Sequence, residues 1–138
     1  MRRWLLILVA PLALGSIAVP NVLTAIQRSN QKRTMADMRT LATAIEAYWT
    51  DHPDWRPANS AGSPARLAAL LKPKYIKQIP MKDGWGRTFG VFVGGTDYTI
   101  WSLGKDAKRD PKWSGPVTKF DNDLVYQNGN FTQFPEGT

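Results

Sequence analysis

The chain has 138 residues, 43% of them hydrophobic, a net charge of +7 and no cysteine. This composition excludes a disordered chain and a multi-span membrane protein, and the length suits one small domain. Five of the basic residues flank a single apolar segment near the start, whereas residues 34–138 hold 13 basic residues against 11 acidic ones. The nearly balanced remainder argues against a nucleic-acid-binding protein.

The first predicted element is a membrane helix. The segment Trp4–Gln27 carries no charge over 24 residues, and as a helix it would be roughly 36 Å long, enough to cross a bilayer. Arg2 and Arg3 precede it and favour a cytoplasmic N-terminus with an exported C-terminal domain. We therefore divide the chain into a hydrophobic membrane or filament-core helix, residues 1–27, and a globular domain, residues 28–138.

The helical pattern continues beyond the apolar segment. Apolar residues recur at intervals of three and four from Met35 to Trp49, which is the period of an amphipathic helix. His52-Pro53 predicts the end of the helix, because a residue before proline is pushed out of the α region. A helix from Leu5 to Thr50 would be roughly 70 Å long. A domain of this size does not need such a rod for its own core, so the element suits both anchoring and assembly.

Three other interpretations of the N-terminus compete with the anchor. A cleavable signal peptide would use Ser16 and Ala18 as the small residues before the cut. The helical pattern resumes soon after Ala18, which argues against cleavage there. A twin-arginine export signal at Arg2-Arg3 lacks a polar lead-in, and a buried helical hairpin would break at Pro20.

Downstream, turn signals separate short segments typical of an α+β domain. Ser63-Pro64 opens a short helix, Gly94-Gly95 and Asn128-Gly129 mark hairpin turns, and Gly104–Asn122 is a polar segment without a periodic pattern. The predicted elements are the helix Ala65–Leu71 and the strands Thr88–Val93, Tyr98–Leu103, Leu124–Gln127 and Phe131–Phe134.

Several motifs resemble one known family. Ile17-Ala18-Val19-Pro20-Asn21 is similar to the I-A-I-P-N stretch of type IV pilins and type II secretion pseudopilins. The strongest match is Ser102-Leu103-Gly104-Lys105-Asp106, which resembles the S-L-G-x-D motif of the major pseudopilin, the G subunit. Further residues match that subunit in order and spacing: Arg39, Leu41, Ala44, Ile45, Tyr48, Asp51, Tyr75, Ile76, Pro80, Asp83, Trp85, Gly86 and Tyr98. The resemblance implies a pilin-like α+β fold, with a long N-terminal transmembrane helix packed on a small antiparallel sheet.

The resemblance also implies a structural role. The expected function is a subunit of a type II secretion pseudopilus or type IV pilus-like filament, which forms a homo-oligomeric filament with other pseudopilins. Its expected location is the bacterial inner membrane, as a single-pass protein with its C-terminal domain in the periplasm or on the extracellular side. Contact with exported protein substrates is expected to be indirect, and no nucleic-acid partner is expected.

The N-terminus departs from the family pattern. Aligned on Pro20-Asn21, the position of the family's glutamate falls on Arg3, and the glycine that ends the leader would precede Met1. Two interpretations stay open: a truncated start, or an atypical subunit retained as an uncleaved anchor.

Oxygen ligands bracket the polar segment. Asp106 lies at its start and Asp121, Asn122 and Asp123 at its end, and such carboxylates suit calcium, which takes six to eight oxygens. By resemblance, the calcium ligands would be the Leu103 carbonyl and the side chains of Asp106, Asp121 and Asp123, with Asn122 as a substitute donor. Alternatively, these residues form ordinary Asx turns. The same segment carries basic residues that would repel a cation: Lys105, Lys108, Arg109, Lys112 and Lys119.

Catalysis has no support in the sequence. His52 is the only histidine, and no serine or cysteine nucleophile pattern accompanies it. It stands at the predicted helix end, so we expect it to face solvent, and we do not expect the protein to be an enzyme. The alternative function is an uncleaved, membrane-anchored exported binding domain, for example for glycans, with Trp55, Trp101 or Trp113 as exposed platforms. An exposed coplanar pair of these rings would favour binding, and burial would favour the pilin-like scaffold.

Overall fold

The computed structural model describes the backbone of residues 2–137 and the side chains of residues 21–137. One long helix, α1, spans Arg2–Asp51 and continues through residues 27–35 without a loop. A single 3-10 turn, Pro64–Leu67, leads into the short helix α2, Ala68–Leu71. The six strands are β1 Ser60–Gly62, β2 Gly90–Gly94, β3 Asp97–Ser102, β4 Gly115–Val117, β5 Leu124–Gln127 and β6 Asn130–Pro135.

Helix α1 follows the sequence prediction at its C-terminal end. It stops at Asp51, and the His52 amide still donates a hydrogen bond to the Tyr48 carbonyl at 3.0 Å, as expected before Pro53. Most side chains of the predicted membrane segment, Trp4–Gln27, lie outside the part of the chain whose side chains the structure describes. Within residues 21–137, no helix combines the length and apolar character needed to cross a membrane.

The sheet has the strand order β1-β2-β3-β5-β6-β4. Four neighbouring pairs are antiparallel, and β4 pairs with β6 in parallel, with Gly115 opposite Gln133. The α+β, pilin-like class is therefore confirmed, but the sheet is mixed rather than antiparallel throughout. Strand β4 lies inside the segment predicted to be irregular, and β1 was not predicted. Both are three-residue edge strands containing glycine, so neither has an alternation pattern to detect.

Local turn chemistry agrees with the prediction at Asn128-Gly129 and in part at Ser63-Pro64. Asn128 and Gly129 have φ angles of 48° and 101°, the left-handed values that a two-residue hairpin turn requires between β5 and β6. Ser63 stands in extended conformation directly before the 3-10 turn, but its side chain makes no capping hydrogen bond. The fixed φ of Pro64 at the first helical position is therefore the stronger local signal.

The core lies between α1 and one face of the sheet. Met38, Leu41 and Ile45 form the buried stripe of α1, with the spacing of three and four that the sequence shows. They belong to the same hydrophobic cluster as the sheet residues Ile100 and Leu124. The turn Asp83–Gly86 contacts the N-terminal part of the described helix through Gln27 and Thr34.

Candidate functional site

An apolar patch, Val22, Leu23 and Ile26, occupies the described N-terminal part of α1. These side chains are 56%, 56% and 47% exposed, respectively. Burial of such side chains is favourable by about 25 cal/mol per Å² of apolar surface removed from water. The described part of the domain does not cover the apolar patch.

The turn Asp83–Gly86 holds the domain against α1 immediately after this patch. The Trp85 indole N–H donates to the Gln27 side-chain oxygen at 2.6 Å. The Gly84 amide donates to the Thr34 hydroxyl oxygen at 2.8 Å, and that hydroxyl donates to the Asn30 carbonyl at 2.6 Å. A Cβ on Gly84 would overlap the Asn30 backbone. Glycine at this position therefore allows the close approach of turn and helix.

Asp83 connects this turn with the sheet. Its side chain is 1% exposed. One carboxylate oxygen accepts hydrogen bonds from the amides of Trp85 and Arg87, both at 3.0 Å. The other accepts the Ser102 hydroxyl at 2.7 Å, and the Ser102 oxygen accepts the Gly104 amide at 3.2 Å. The motif residues around Trp85 and around Ser102 thus belong to one hydrogen-bond network, a role that their sequence pattern did not reveal.

Asp123 is the centre of the polar segment. It is fully buried, and its Oδ2 accepts hydrogen bonds from the Asp110 amide at 2.9 Å and the Trp113 indole at 2.7 Å. Its Oδ1 is buried and has no hydrogen-bond partner among the described residues. Burial raises the pKa of this carboxyl above its usual value, an effect that its hydrogen-bond donors oppose. An unpartnered buried oxygen is costly unless a donor or a cation reaches it.

Asp110 also belongs to this centre, although the sequence had not indicated it. Its Oδ2 accepts the Asp123 amide at 2.7 Å and the Gln133 side-chain amide at 2.8 Å. Gln133 is 1% exposed and reaches the Ser114 amide with its carbonyl oxygen at 2.9 Å. Asp110 stands among lysine, arginine and proline residues without a recognisable motif, so only the folded chain brings it next to Asp123.

The predicted calcium ligands are only partly brought together. Asp106 is exposed and its Oδ1 accepts the Lys108 amide at 2.9 Å, an Asx turn. The side-chain Oδ1 of Asn122 accepts the Lys119 amide at 3.1 Å, Asp121 is exposed, and Leu103 is half-buried. Within residues 21–137, no group of three or more histidine, cysteine, aspartate or glutamate side chains is arranged to hold a metal.

Backbone oxygens supply a second feature of the polar segment. A Cβ on Gly104, which has a φ of +72°, would meet the carbonyl oxygens of Phe120, Asp121 and Asn122. The basic side chains of the segment are exposed, namely Lys105, Lys108, Arg109, Lys112 and Lys119. Arg109 lies over the Trp113 ring, 4.1 Å from its centroid. The Phe120 carbonyl accepts the Lys105 amide at 2.9 Å, so this backbone contact closes the two ends of the polar segment.

The tryptophans do not form an exposed coplanar platform in the described part of the chain. Trp101 and Trp113 have ring centroids 5.7 Å apart but planes tilted by 41°, and both are partly buried. The Trp101 ring covers Gly90, where a Cβ would overlap it. Trp55 contacts the Tyr48 ring edge-on at 5.2 Å. Their packing therefore favours the scaffold over the glycan-binding alternative.

His52 is exposed at the end of α1, as expected. Its Nδ1 lies 2.9 Å from the Tyr48 carbonyl oxygen, and its ring stacks on Tyr48 with centroids 4.1 Å apart. These contacts are those of a helix-end residue.

Comparison with known proteins identifies the family that the geometry suits. Residues 21–114, more than half of the chain, match the family described as "Type II secretion system (T2SS), protein G". The chain is 28% identical over 112 residues to the "Type II secretion system core protein G" of Vibrio cholerae, which covers 74% of this chain and 75% of that protein. No solved structure matches it.

Proposed function

We propose, since this chain belongs to the family of type II secretion system protein G, that it assembles through the N-terminal part of α1. The predicted resemblance is confirmed, and the chain is a structural subunit of the secretion pseudopilus. The family is a structural one rather than an enzyme family, and it implies assembly with other pseudopilins in a membrane-associated filament. The observation that supports assembly through α1 is the apolar patch of Val22, Leu23 and Ile26.

The apolar patch supplies a driving force for assembly. Full burial of a leucine, isoleucine or valine side chain is worth about 1.5–3 kcal/mol, and each of these three is about half exposed. Covering the apolar patch would therefore contribute about 3 kcal/mol per subunit. The uncharged segment Trp4–Gln27 supports the finer proposal of a single-pass inner-membrane anchor, with the domain on the periplasmic or extracellular side. Homo-oligomerisation in the filament follows the same logic, because sister helices offer the same apolar surface.

A charge inside the apolar patch tests this proposal. In the full chain, Leu23→Asp should abolish the ladder of crosslinked oligomers, because a carboxylate would have to be buried between helices or in lipid. The domain should still fold, since the Leu23 side chain lies outside the core. Leu23→Met keeps an apolar side chain of similar volume and should retain the ladder. An unchanged ladder in the aspartate variant would contradict assembly through this part of α1.

We further propose that the polar segment takes a calcium ion at Asp123. The support is the buried, unpartnered Oδ1 of Asp123 and the gathering of backbone oxygens near Gly104. By the family resemblance, the Leu103 carbonyl, Asp106, Asp121 and the substitute donor Asn122 would complete the oxygen ligands. A bound calcium ion would supply the positive charge that the buried carboxylate lacks. It would also join the two ends of the polar segment and restrict its freedom.

Replacement of Asp123 by asparagine distinguishes the effect of a bound cation on stability from the effect of the hydrogen bonds. Asparagine keeps one acceptor oxygen for the Asp110 amide and the Trp113 indole, but it removes the charge. Calcium at a hundredfold excess over its Kd should stabilise the native chain by about 2.7 kcal/mol, and Asp123→Asn should abolish that gain. Asp54→Asn, an exposed change outside the polar segment, is the matched control. Equal melting in calcium and in chelator would refute the calcium site and leave the hydrogen bonds as the means of holding the segment.

A further inference from the structure

Five exposed basic residues surround the point where α1 enters the domain. We call them the basic collar; its members are Arg28, Lys32 and Arg33 on α1, and Lys82 and Arg87 on either side of the turn Asp83–Gly86. The one acidic residue within residues 21–36 and 80–88 is Asp83, and it is buried. Asp37, one helical turn beyond Arg33, is half-buried and forms no ion pair with a collar residue in the described part of the chain, so the five collar side chains keep their positive charge uncompensated.

The fold places both halves of the basic collar at the same level. Trp85 is bonded to Gln27, and Gly84 to Thr34, so the turn lies along the same part of α1 as the three helical basic residues. Lys82 forms a bridge with Thr88, and the Asp83 amide donates to the Arg87 carbonyl at 2.8 Å. Lys82 and Arg87 are therefore held beside the helix by a short, bonded turn rather than by a free loop.

Among the described residues, the basic collar forms no ion pair and no cation–π contact. Within residues 21–137, the one ion pair joins Lys74 and Asp51, near the other end of the domain. The cation–π contacts there involve Arg39, Arg56, Lys74 and Arg109, none of them a collar residue. Uncompensated cations next to an apolar surface fit an anionic partner that also has an apolar layer.

We propose that the basic collar seats the domain on the anionic headgroups of the bilayer from which α1 emerges. The proposal rests on the proposed function, in which the segment before the apolar patch is in the membrane. With the patch at the edge of the hydrocarbon, Arg28 to Arg33 lie roughly 3–10 Å above Ile26 along the helix. A headgroup layer is about 5–8 Å thick on each side, so the collar falls within reach of lipid phosphates. Trp85 lies at the same level, where amphipathic indole rings are favoured.

The test uses the full chain in vesicles and a single reporter. Because the chain has no cysteine, Met81→Cys introduces one labelling position beside the collar, at a side chain that is 36% exposed. An environment-sensitive fluorophore at this position is compared in phosphatidylcholine vesicles with and without phosphatidylglycerol. The label should enter the headgroup layer only with the anionic lipid, and high salt should reverse the shift.

Two charge-matched variants locate the effect. Lys82→Gln with Arg87→Gln should lower the ratio of docked to undocked domains by on the order of tenfold. Lys72→Gln with Lys74→Gln also removes two exposed charges but should leave the ratio unchanged. The proposal for the basic collar would be overturned if the fluorophore signal did not depend on lipid charge, or if both pairs of substitutions reduced it equally. Either result would favour an acidic protein as the partner. Flotation with the vesicles tests the membrane anchoring separately from the headgroup contact. If the chain does not float with either kind of vesicle, the anchoring is refuted, and the proposal for the basic collar is refuted with it.

Discussion

The contact between α1 and the turn Asp83–Gly86 depends on one hydroxyl group, that of Thr34. This side chain is fully buried; it donates to the Asn30 carbonyl at 2.6 Å and accepts the Gly84 amide at 2.8 Å. Thr34→Val conserves the shape and removes the acceptor. The half-buried Gly84 amide would then lose its hydrogen-bond acceptor.

The cost of this change follows from the unsatisfied amide. A buried donor without a partner destabilises a protein by about 1–3 kcal/mol, while loss of the bond back to Asn30 slightly relieves the helix. We expect Thr34→Val to lower the free energy of unfolding in urea by about 1–2 kcal/mol. Hydrogen exchange at the Gly84 amide should accelerate by on the order of tenfold, because about 1.4 kcal/mol corresponds to a factor of ten.

Thr34→Ser is the control for packing. It retains the hydroxyl group and loses one buried methyl, worth about 0.8 kcal/mol, so its stability falls while the Gly84 amide stays protected. Equal protection of the Gly84 amide in the valine and serine variants would show that the Thr34 hydroxyl does not hold the turn.

Two further predictions concern the polar segment and the far end of α1. Gln133→Leu removes the partner of the Ser114 amide and one donor to Asp110, so we expect the free energy of unfolding to fall by about 2–4 kcal/mol. Trypsin should also cleave faster after Lys112. An unchanged cleavage rate would contradict this role of Gln133. At α1, the hydrogen bond from Tyr75, followed by the contact with Lys74, holds the pKa of Asp51 below its ordinary value. A lowered pKa in the folded state means that this carboxylate favours folding above its unfolded pKa of 3.8 and loses that effect as the pH falls through its folded value. Tyr75→Phe should raise the pKa of Asp51 in an NMR titration, and an unchanged value would contradict the role of the Tyr75 hydrogen bond.

Some features of the candidate site could be predicted from the sequence because they are local. The Met35–Trp49 periodicity predicted the buried stripe of α1, and Asp106 and Asp123 were identified as ends of one polar segment. The apolar patch lies in the uncharged segment Trp4–Gln27, which the sequence also shows. The partnership of Asp123 with Asp110 and Trp113 could not be predicted, since residues 10 to 13 positions apart in an irregular segment have no fixed spacing in space.

By itself, the sequence determined the elements whose signals lie within a few residues. Helical periodicity with Pro53 set the end of α1, and the left-handed preference of Asn128-Gly129 set the turn between β5 and β6. Only the tertiary structure decided the parallel pairing of β4 with β6, because a three-residue strand acquires its hydrogen bonds from a distant partner rather than from its own side chains. It also decided why Gly84 is a glycine and why Asp83 is buried, since both depend on how closely the turn approaches α1. Long-range approach of this kind depends on the packing of the whole core, and no short segment of the chain encodes it.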